Sequence, residues 1–277
     1  MISVLILTRD EAQALPECLD SVAWSDDVHV LDSLSSDGTQ QIARERGAHV
    51  TERPFDGYAT QRNAGLALPF RHEWILILDA DERPSAELSE EMQTAVLTAP
   101  PTVTAFRVRR RDYLWGTWLK HAQLTPTYIR LVRRGRARYV REINEVLETD
   151  GQVADLHAPL EHYPFLKGMS WWLDRHNRYS TAEAQLLAAG SATSNASWRQ
   201  ALLGKSLQER RAAQKAIFYK MPGRPLVKWM YMMFVRGAVL DGSAGWTYAT
   251  LQSIYEYMIE VKRREIELRA RNTAGRP

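Results

Sequence analysis

Trp74-Ile75-Leu76-Ile77-Leu78-Asp79-Ala80-Asp81 sets five apolar residues in a row against two carboxylates one residue apart. A short continuous apolar run of this kind suits a strand buried on both faces, the habit of parallel sheets. Residues 2–7 read the same way, and residues 27–32 predict a second strand, one that ends in Asp32. Between them residues 15–22 predict a helix, with Pro16 tolerated in its first turn. The Asp37-Gly38 turn leads into a helix over 39–46, closed by Gly47, and residues 48–52 predict a third strand. Strands alternating with helices predict an α/β fold, a mainly parallel sheet flanked by helices. Ligands of such sheets bind beyond the carboxyl ends of the strands, and these ends carry Thr8, Asp32 and Asp79.

Farther along, residues 103–110, 128–133 and 139–146 predict a second set of strands. From about Gly168 the pattern turns helical, Pro222 and Pro225 interrupt it, and a last helix is expected over 247–271 before a disordered tail. The expected division is a catalytic domain over 1–165 and a C-terminal helical region over 166–277.

Composition sets bounds on function. Of 277 residues, 45% are hydrophobic and 25% charged, as in an ordinary folded soluble protein. Cys18 is the single cysteine, so no disulfide can form within the chain, and a reducing, cytoplasmic setting is expected. Met1 leads directly into strand-like sequence, which argues against a secretory signal; no apolar run reaches the roughly 18 residues that a membrane span needs. Asn195-Ala196-Ser197 matches a glycosylation acceptor that has no meaning in that setting.

The net charge of +3 hides a division. Residues 1–198 hold 21 Lys and Arg against 27 Asp and Glu, a net of −6; residues 199–277 hold 15 against 6, a net of +9. The acidic part points to a metal or polar-substrate site, the basic part to an anionic partner such as a membrane surface. No recognisable module interleaves aromatic platforms with basic residues, so nucleic acid is not an expected partner.

Three groups can carry chemistry. The Asp79-Ala80-Asp81 pair can hold a hard divalent cation against a diphosphate, although two acids in a turn are also common solvated groups. Asp32 can accept hydrogen bonds from a base or a ribose, whereas Asp37 reads as a cap of the next helix. Arg62, on a helix opened by Phe55-Asp56-Gly57-Tyr58, suits bidentate pairing with phosphate oxygens; a solvated helix arginine is the alternative.

Several runs taken together carry a family resemblance: Thr8-Arg9-Asp10-Glu11, Val30-Leu31-Asp32-Ser33 with Asp37-Gly38-Thr39, Glu52-Arg53-Pro54-Phe55-Asp56-Gly57-Tyr58 leading to Gln61-Arg62-Asn63, and Leu78-Asp79-Ala80-Asp81-Glu82-Arg83. Less sharp matches continue through Arg130-Leu131-Val132-Arg133-Arg134, Asn144-Glu145, Leu160-Glu161-His162-Tyr163 and residues 237–245. In order and spacing the chain resembles family 2 glycosyltransferases of GT-A fold, in the branch of lipopolysaccharide-core β-1,4-glucosyltransferases.

The resemblance implies a UDP-sugar donor, Mg²⁺ or Mn²⁺, and inversion at the anomeric carbon. Thr8, Glu11 and Asp32 would line the nucleoside pocket and Arg62 would approach the diphosphate. Asp79 and Asp81 would hold ribose and metal, with Asp81 the direct ligand. His162 is either a further metal ligand or a strand-end histidine bonded to backbone. Where the family has a His-Glu pair upstream of a glycine, this chain has Asn144-Glu145 with Gly151 beyond. Glu145 is thus the expected base and Glu142 its competitor. Asp10 stands where the family more often has asparagine.

The expected acceptor is a hydroxyl of a cell-surface saccharide or glycolipid, such as lipopolysaccharide core. A polyprenyl-phosphate acceptor and a non-catalytic membrane-bound scaffold are the alternatives. A nucleotidylyltransferase would need a glycine-rich loop where Thr8-Arg9-Asp10-Glu11 stands. Trp115, Trp118, Lys120 and His121 suit stacking on a sugar, or a loop folded onto the core. Over 199–277, apolar and aromatic residues beside cations suit either a peripheral contact with the inner face of the cell membrane or packing against the catalytic domain or a second copy in a homo-oligomer.

Overall fold

Side chains alternate in direction along a strand, so a run with no polar break must be covered on both sides. The computed structural model, which describes residues 1–141, 145–189 and 206–274, shows how this happens. In chain order the elements are β1 (Ile2–Thr8), α1 (Leu15–Ser21), β2 (Val28–Asp32), α2 (Thr39–Glu45), β3 (His49–Glu52), α3 (Tyr58–Leu66) and β4 (Trp74–Asp79). Then follow β5 (Glu82–Pro84), α4 (Ala86–Thr98), β6 (Val103–Leu114), β7 (Thr117–Trp118), β8 (Thr127–Arg133), β9 (Ala137–Val140), β10 (Val146–Thr149) and β11 (Gln152–His162).

The main sheet runs β3-β2-β1-β4-β8-β6-β11-β5, with β7 paired to β6. β3, β2, β1 and β4 are mutually parallel, as are β6 and β11; β8 runs antiparallel to both of its neighbours. On one face Val4, Ile6, Val30, Leu76 and Leu78 pack with Leu15, Cys18 and Leu88. On the other, Leu5, Leu31, Ile75 and Ile77 pack with Ala59 and Phe70. Helix α3 lies close on this second face because Gly65 carries no side chain: a β-carbon there would stand 2.7 Å from a Leu5 methyl. Register puts Thr8 opposite Asp32 and Leu7 opposite Asp79, so three strand ends share one rim.

The strand expected over 139–146 is not continuous. Arg141 takes a left-handed φ of 66°, and β9 and β10 fold back on one another with Val140 opposite Val146. Glu145 therefore stands at the start of the returning strand. Gly151, at the turn into β11, has a packing reason of its own, since a side chain there would collide with Thr104. Glu142 and Asn144 lie outside the described residues, as do the 195–197 acceptor pattern and the basic residues Arg199 and Lys205.

The chain divides into two compact units, Met1–Trp118 with Leu124–Lys167, and Leu119–Gln123 with the chain from Gly168 onward. The second unit holds α5 (Gly168–Ala188), α6 (Leu207–Lys220) and α7 (Arg224–Met230). A π-helical turn (Tyr231–Val235), a 3₁₀ turn (Ala238–Asp241) and α8 (Gly242–Ala274) complete it. The last helix runs through Asn272 to Ala274, where a disordered tail was expected, because nothing in that stretch breaks it.

Ala184, Leu187 and Ile259 form the apolar joint of α5 and α8, and Arg224 is buried against Glu256 at 3.1 Å. Asp241 accepts the amides of His121 and Ala122 at 2.8 and 2.7 Å and faces His121 Nδ1 at 2.6 Å, which seats the 119–123 segment in this unit. The expected cluster of Trp115, Trp118, Lys120 and His121 is thus divided between the two units. Among the described residues no helix is long and apolar enough to cross a membrane.

Candidate active site

Asp79 ends β4 and has two guanidinium partners. Arg62 Nη2 from α3 lies 2.9 and 3.3 Å from its two oxygens, and Arg130 Nη2 from β8 lies 3.0 Å from Oδ2. Burial alone would favour the neutral acid, yet Arg62 and Arg130 hold the Asp79 carboxyl well below the usual carboxylate range. Glu82, fully buried on β5, accepts from Arg130 at 2.5 Å and from the Asp79 amide at 3.1 Å. Arg62 reaches further, with Nε 3.2 Å from Glu145 Oε1. One guanidinium therefore joins the strand-end acid and the expected base.

Two donors in this cluster have no partner. Arg62 Nη1 and Arg130 Nε are buried and make no hydrogen bond. Buried polar groups are almost always paired, because an unpaired charged donor costs its full desolvation. Two orphaned cationic donors at the carboxyl rim fit an anion with several acceptor oxygens, as a diphosphate has.

Beside this pair, Asp81 Oδ2 lies 3.3 Å from His162 Nε2, and the other ring nitrogen of His162 is held by Asp112. Burial favours a neutral imidazole, but Asp81 and Asp112 push His162 up to about 9. Burial likewise opposes ionisation of Asp81, and the facing His162 lowers its pKa. A carboxylate oxygen and an imidazole nitrogen paired at 3.3 Å, with the far nitrogen held by a second carboxylate, are of the chemical types that ligate divalent cations. Among the described residues no group of three or more His, Cys, Asp and Glu is placed to hold a metal. Asp81 and His162 would be the protein's share of such a site, and a cation held there would neutralise charge on a bound phosphate. Asp79, expected to share the metal, is instead committed to Arg62 and Arg130. His162 bonds to carboxylates, contrary to the backbone alternative.

The remaining expected residues form the neighbouring loops. Asp32 is fully buried and accepts from Thr8 Oγ1 at 2.7 Å, Gln40 Nε2 at 2.7 Å, Ser35 N at 2.8 Å and Ser35 Oγ at 2.5 Å. Those four bonds use the four acceptor positions of a carboxylate. Asp32 and Thr8 thereby shape the loop from within, where direct contact with a nucleoside was expected. Asp10 has φ 52°, a left-handed conformation that Asp and Asn both tolerate, and its carboxylate accepts the Ser36 amide at 2.9 Å. Asp37 accepts from the Thr39 amide at 3.1 Å at the start of α2, and also from the Ala12 amide at 2.9 Å. Glu11 pairs with Lys167 at 2.5 Å. Burial, helped by Asp81 and Asp79, nevertheless pushes Glu11 up to about 7 against the pull of that lysine.

Sequence reasoning passed over Arg130, Glu82, Asp112 and Lys167 as site residues. Arg130 had a signal: it is a lone cation between the apolar residues Ile129 and Leu131-Val132 of a predicted strand, where a buried charge needs a partner.

The sequence profile of Glycosyl transferase family 2 matches residues 3–153. Over 270 residues, 94% of this chain and 91% of the relative, the sequence is 25% identical to the lipopolysaccharide core biosynthesis glycosyltransferase LpsC of Rhizobium meliloti (strain 1021). Over 93 residues, 33% of this chain and 32% of the relative, it is 40% identical to an uncharacterized glycosyltransferase of Rickettsia felis. Among solved structures, glucosyl-3-phosphoglycerate synthase of Mycobacterium tuberculosis, in complex with Mn²⁺, UDP and glucosyl-3-phosphoglycerate, is similar over 41% of this chain and 44% of its own, at 22% identity and a TM-score of 0.34. Mannosyl-3-phosphoglycerate synthase of Rubrobacter xylanophilus is similar over 40% of each chain, at 22% identity and a TM-score of 0.35. The chain spans less than half of those solved structures, whereas the profile covers more than half of the chain. It belongs to Glycosyl transferase family 2 and has the GT-A fold.

Proposed function

We propose that this glycosyltransferase transfers a hexose, with inversion, from a UDP-sugar to a hydroxyl of a cell-surface saccharide or glycolipid. The observation that carries the reading is the pair of orphaned buried donors, Arg62 Nη1 and Arg130 Nε, beside Asp81 and His162. Arg62 and Arg130 would take the diphosphate oxygens. Asp81 and a deprotonated His162 would hold Mg²⁺ or Mn²⁺. When bound, that cation neutralises charge developing on the leaving diphosphate. Glu11 and the loop shaped by Thr8 and Asp32 would face the nucleoside.

In the transfer step the acceptor oxygen bonds to the anomeric carbon as the bond from that carbon to the diphosphate oxygen breaks. The electron pair leaves with UDP, and the hydroxyl proton goes to Glu145. The ion pair of Glu145 with Arg62 couples the two events. A diphosphate drawn to Arg62 competes for its guanidinium and releases the carboxylate to act as base. Likeness to LpsC along nearly the whole chain supports a lipopolysaccharide-core acceptor.

The test is a screen of UDP-sugars for Mn²⁺-dependent UDP release, with and without candidate core oligosaccharides. Release from one UDP-sugar, stimulated by a core acceptor, is the expected result. Transfer to a polyprenyl phosphate alone would replace the acceptor, and UDP binding without turnover on any acceptor would leave a scaffold.

A further inference from the structure

The π-helical and 3₁₀ turns of the second unit expose an apolar surface out of keeping with a water-facing segment. Tyr231, Phe234, Val235, Val239, Leu240 and Trp246 are each between 50% and 74% exposed within sixteen residues of chain. Scattered exposed apolar residues are ordinary, but a dense group marks a contact surface. The cause lies in the backbone. Gly237, at φ 78°, and Gly242, at φ 62°, turn the chain twice, so residues that one straight helix would spread around its axis are pushed outward at one bend. Beneath them Trp229 lies edge-on to Trp246, ring centroids 5.0 Å apart, which gives the bend a rigid aromatic base.

The charge around the bend is of one sign. From residue 221 to residue 255 the one acid is Asp241, and it is buried with its oxygens committed to His121 and two backbone amides. Lys228 and Arg236, both partly exposed, flank the apolar tips and have no ion-pair partner among the described residues. This pattern decides between occupants. A two-fold contact between copies sets the same patch against itself, and would bring these cations together with no acid to meet them. An anionic lipid surface offers acyl chains to the protruding side chains and phosphates to the cations.

We infer that the bend formed by residues 226–246 is a docking surface for an anionic phospholipid membrane, entered by Phe234, Val235 and Leu240 and oriented by Lys228 and Arg236. This goes beyond the reaction proposed above and stands independently of which sugar or acceptor that reaction uses.

The experiment is co-sedimentation of the full chain with phosphatidylcholine vesicles, and with vesicles that also contain phosphatidylglycerol. The wild type is expected to bind the anionic vesicles and to bind the neutral ones far more weakly. Phe234→Ser, Val235→Ser and Leu240→Ser combined should weaken binding on the order of a hundredfold. Lys228→Ala with Arg236→Ala should weaken binding to anionic vesicles roughly 25-fold, about fivefold per charge, with little change on neutral ones. All these side chains are at the surface, so circular dichroism and UDP affinity should match the wild type and separate lost docking from lost folding. Absence of wild-type binding to anionic vesicles, or binding indifferent to both variants, overturns the inference. So does a dimer in sedimentation velocity that the serine variant dissolves while no form binds vesicles; the patch would then be a contact between copies.

Discussion

The main sheet carries a polar cluster at each end, and the two are constructed differently. At the amino ends, Asp27 is 1% exposed and fully paired. It accepts from Ser3 Oγ at 2.5 Å and the Arg71 amide at 2.8 Å, and faces His29 Nε2 at 3.0 Å. No buried polar atom of that group lacks a partner. At the carboxyl ends Arg62 and Arg130 are enclosed, the Asp79 and Asp81 side chains are 32% and 27% exposed, and Arg62 Nη1 and Arg130 Nε are unsatisfied. Both clusters bury charge, so burial of charge does not distinguish them. Incomplete pairing does: the first cluster is finished by the protein, and the second leaves two cationic donors open, which is what the proposed diphosphate would fill.

The strongest test of that contrast is Asp81→Ala, which should lower sugar transfer at least ~10³-fold while leaving the melting temperature within about 2 °C of wild type. Measurable transfer at a tenth of the normal rate would remove Asp81 from the reaction. Next, Glu145→Gln should reduce kcat ~10²- to 10³-fold with UDP-sugar affinity retained, as read by turnover beside calorimetric titration. A parallel loss of affinity would make Glu145 a structural partner of Arg62. At the opposite end the pattern should reverse. Asp27→Ala should cost about 3 kcal/mol in urea unfolding, because Ser3, His29 and the Arg71 amide lose a shared acceptor, with kcat unchanged in the folded fraction.

The smallest effect is the share of the pH dependence of stability that the amino-end cluster contributes. Burial keeps the His29 imidazole below its ordinary value, despite the pull of Asp27, so the unfolded chain takes up that proton first. Stability should therefore fall as pH drops below about 6.5. Burial would raise Asp27, but the Ser3 hydroxyl, the Arg71 amide and His29 outweigh it and lower its pKa. A second decline should follow below about pH 4 as that carboxylate is protonated. Urea midpoints for His29→Gln and Asp27→Asn across this range check the assignment: each variant should show a shallower decline than wild type in its own window, and slopes equal to wild type would place these two titrations elsewhere.

What could be read from sequence follows the same contrast. β1, β2 and β4 were legible because short, largely apolar runs between turn residues have few other solutions, and the acids ending β2 and β4 announced the rim. The site's wiring was not legible. Arg130 meets Asp79 across 51 positions and Glu82 across 48, and His162 meets Asp112 across 50. Those partners are set by the order of β4, β8, β6 and β11 in the sheet, which no local pattern encodes. The break inside 139–146 escaped for a local reason, since Arg141 adopts a backbone conformation that its residue type does not advertise. Likewise the acid at position 32 drew attention as a ligand for a donor, when its chemistry is consumed by its own loop.

Gly65 lies one turn beyond Arg62 on α3, pressed onto Leu5 and Leu31. The depth at which the Arg62 guanidinium reaches into the rim is consequently fixed from the opposite direction, by a missing methyl group in the apolar interior. The position of that guanidinium can then be tuned by core residues far from the rim, a tenth of an ångström at a time, while every group at the rim stays chemically the same.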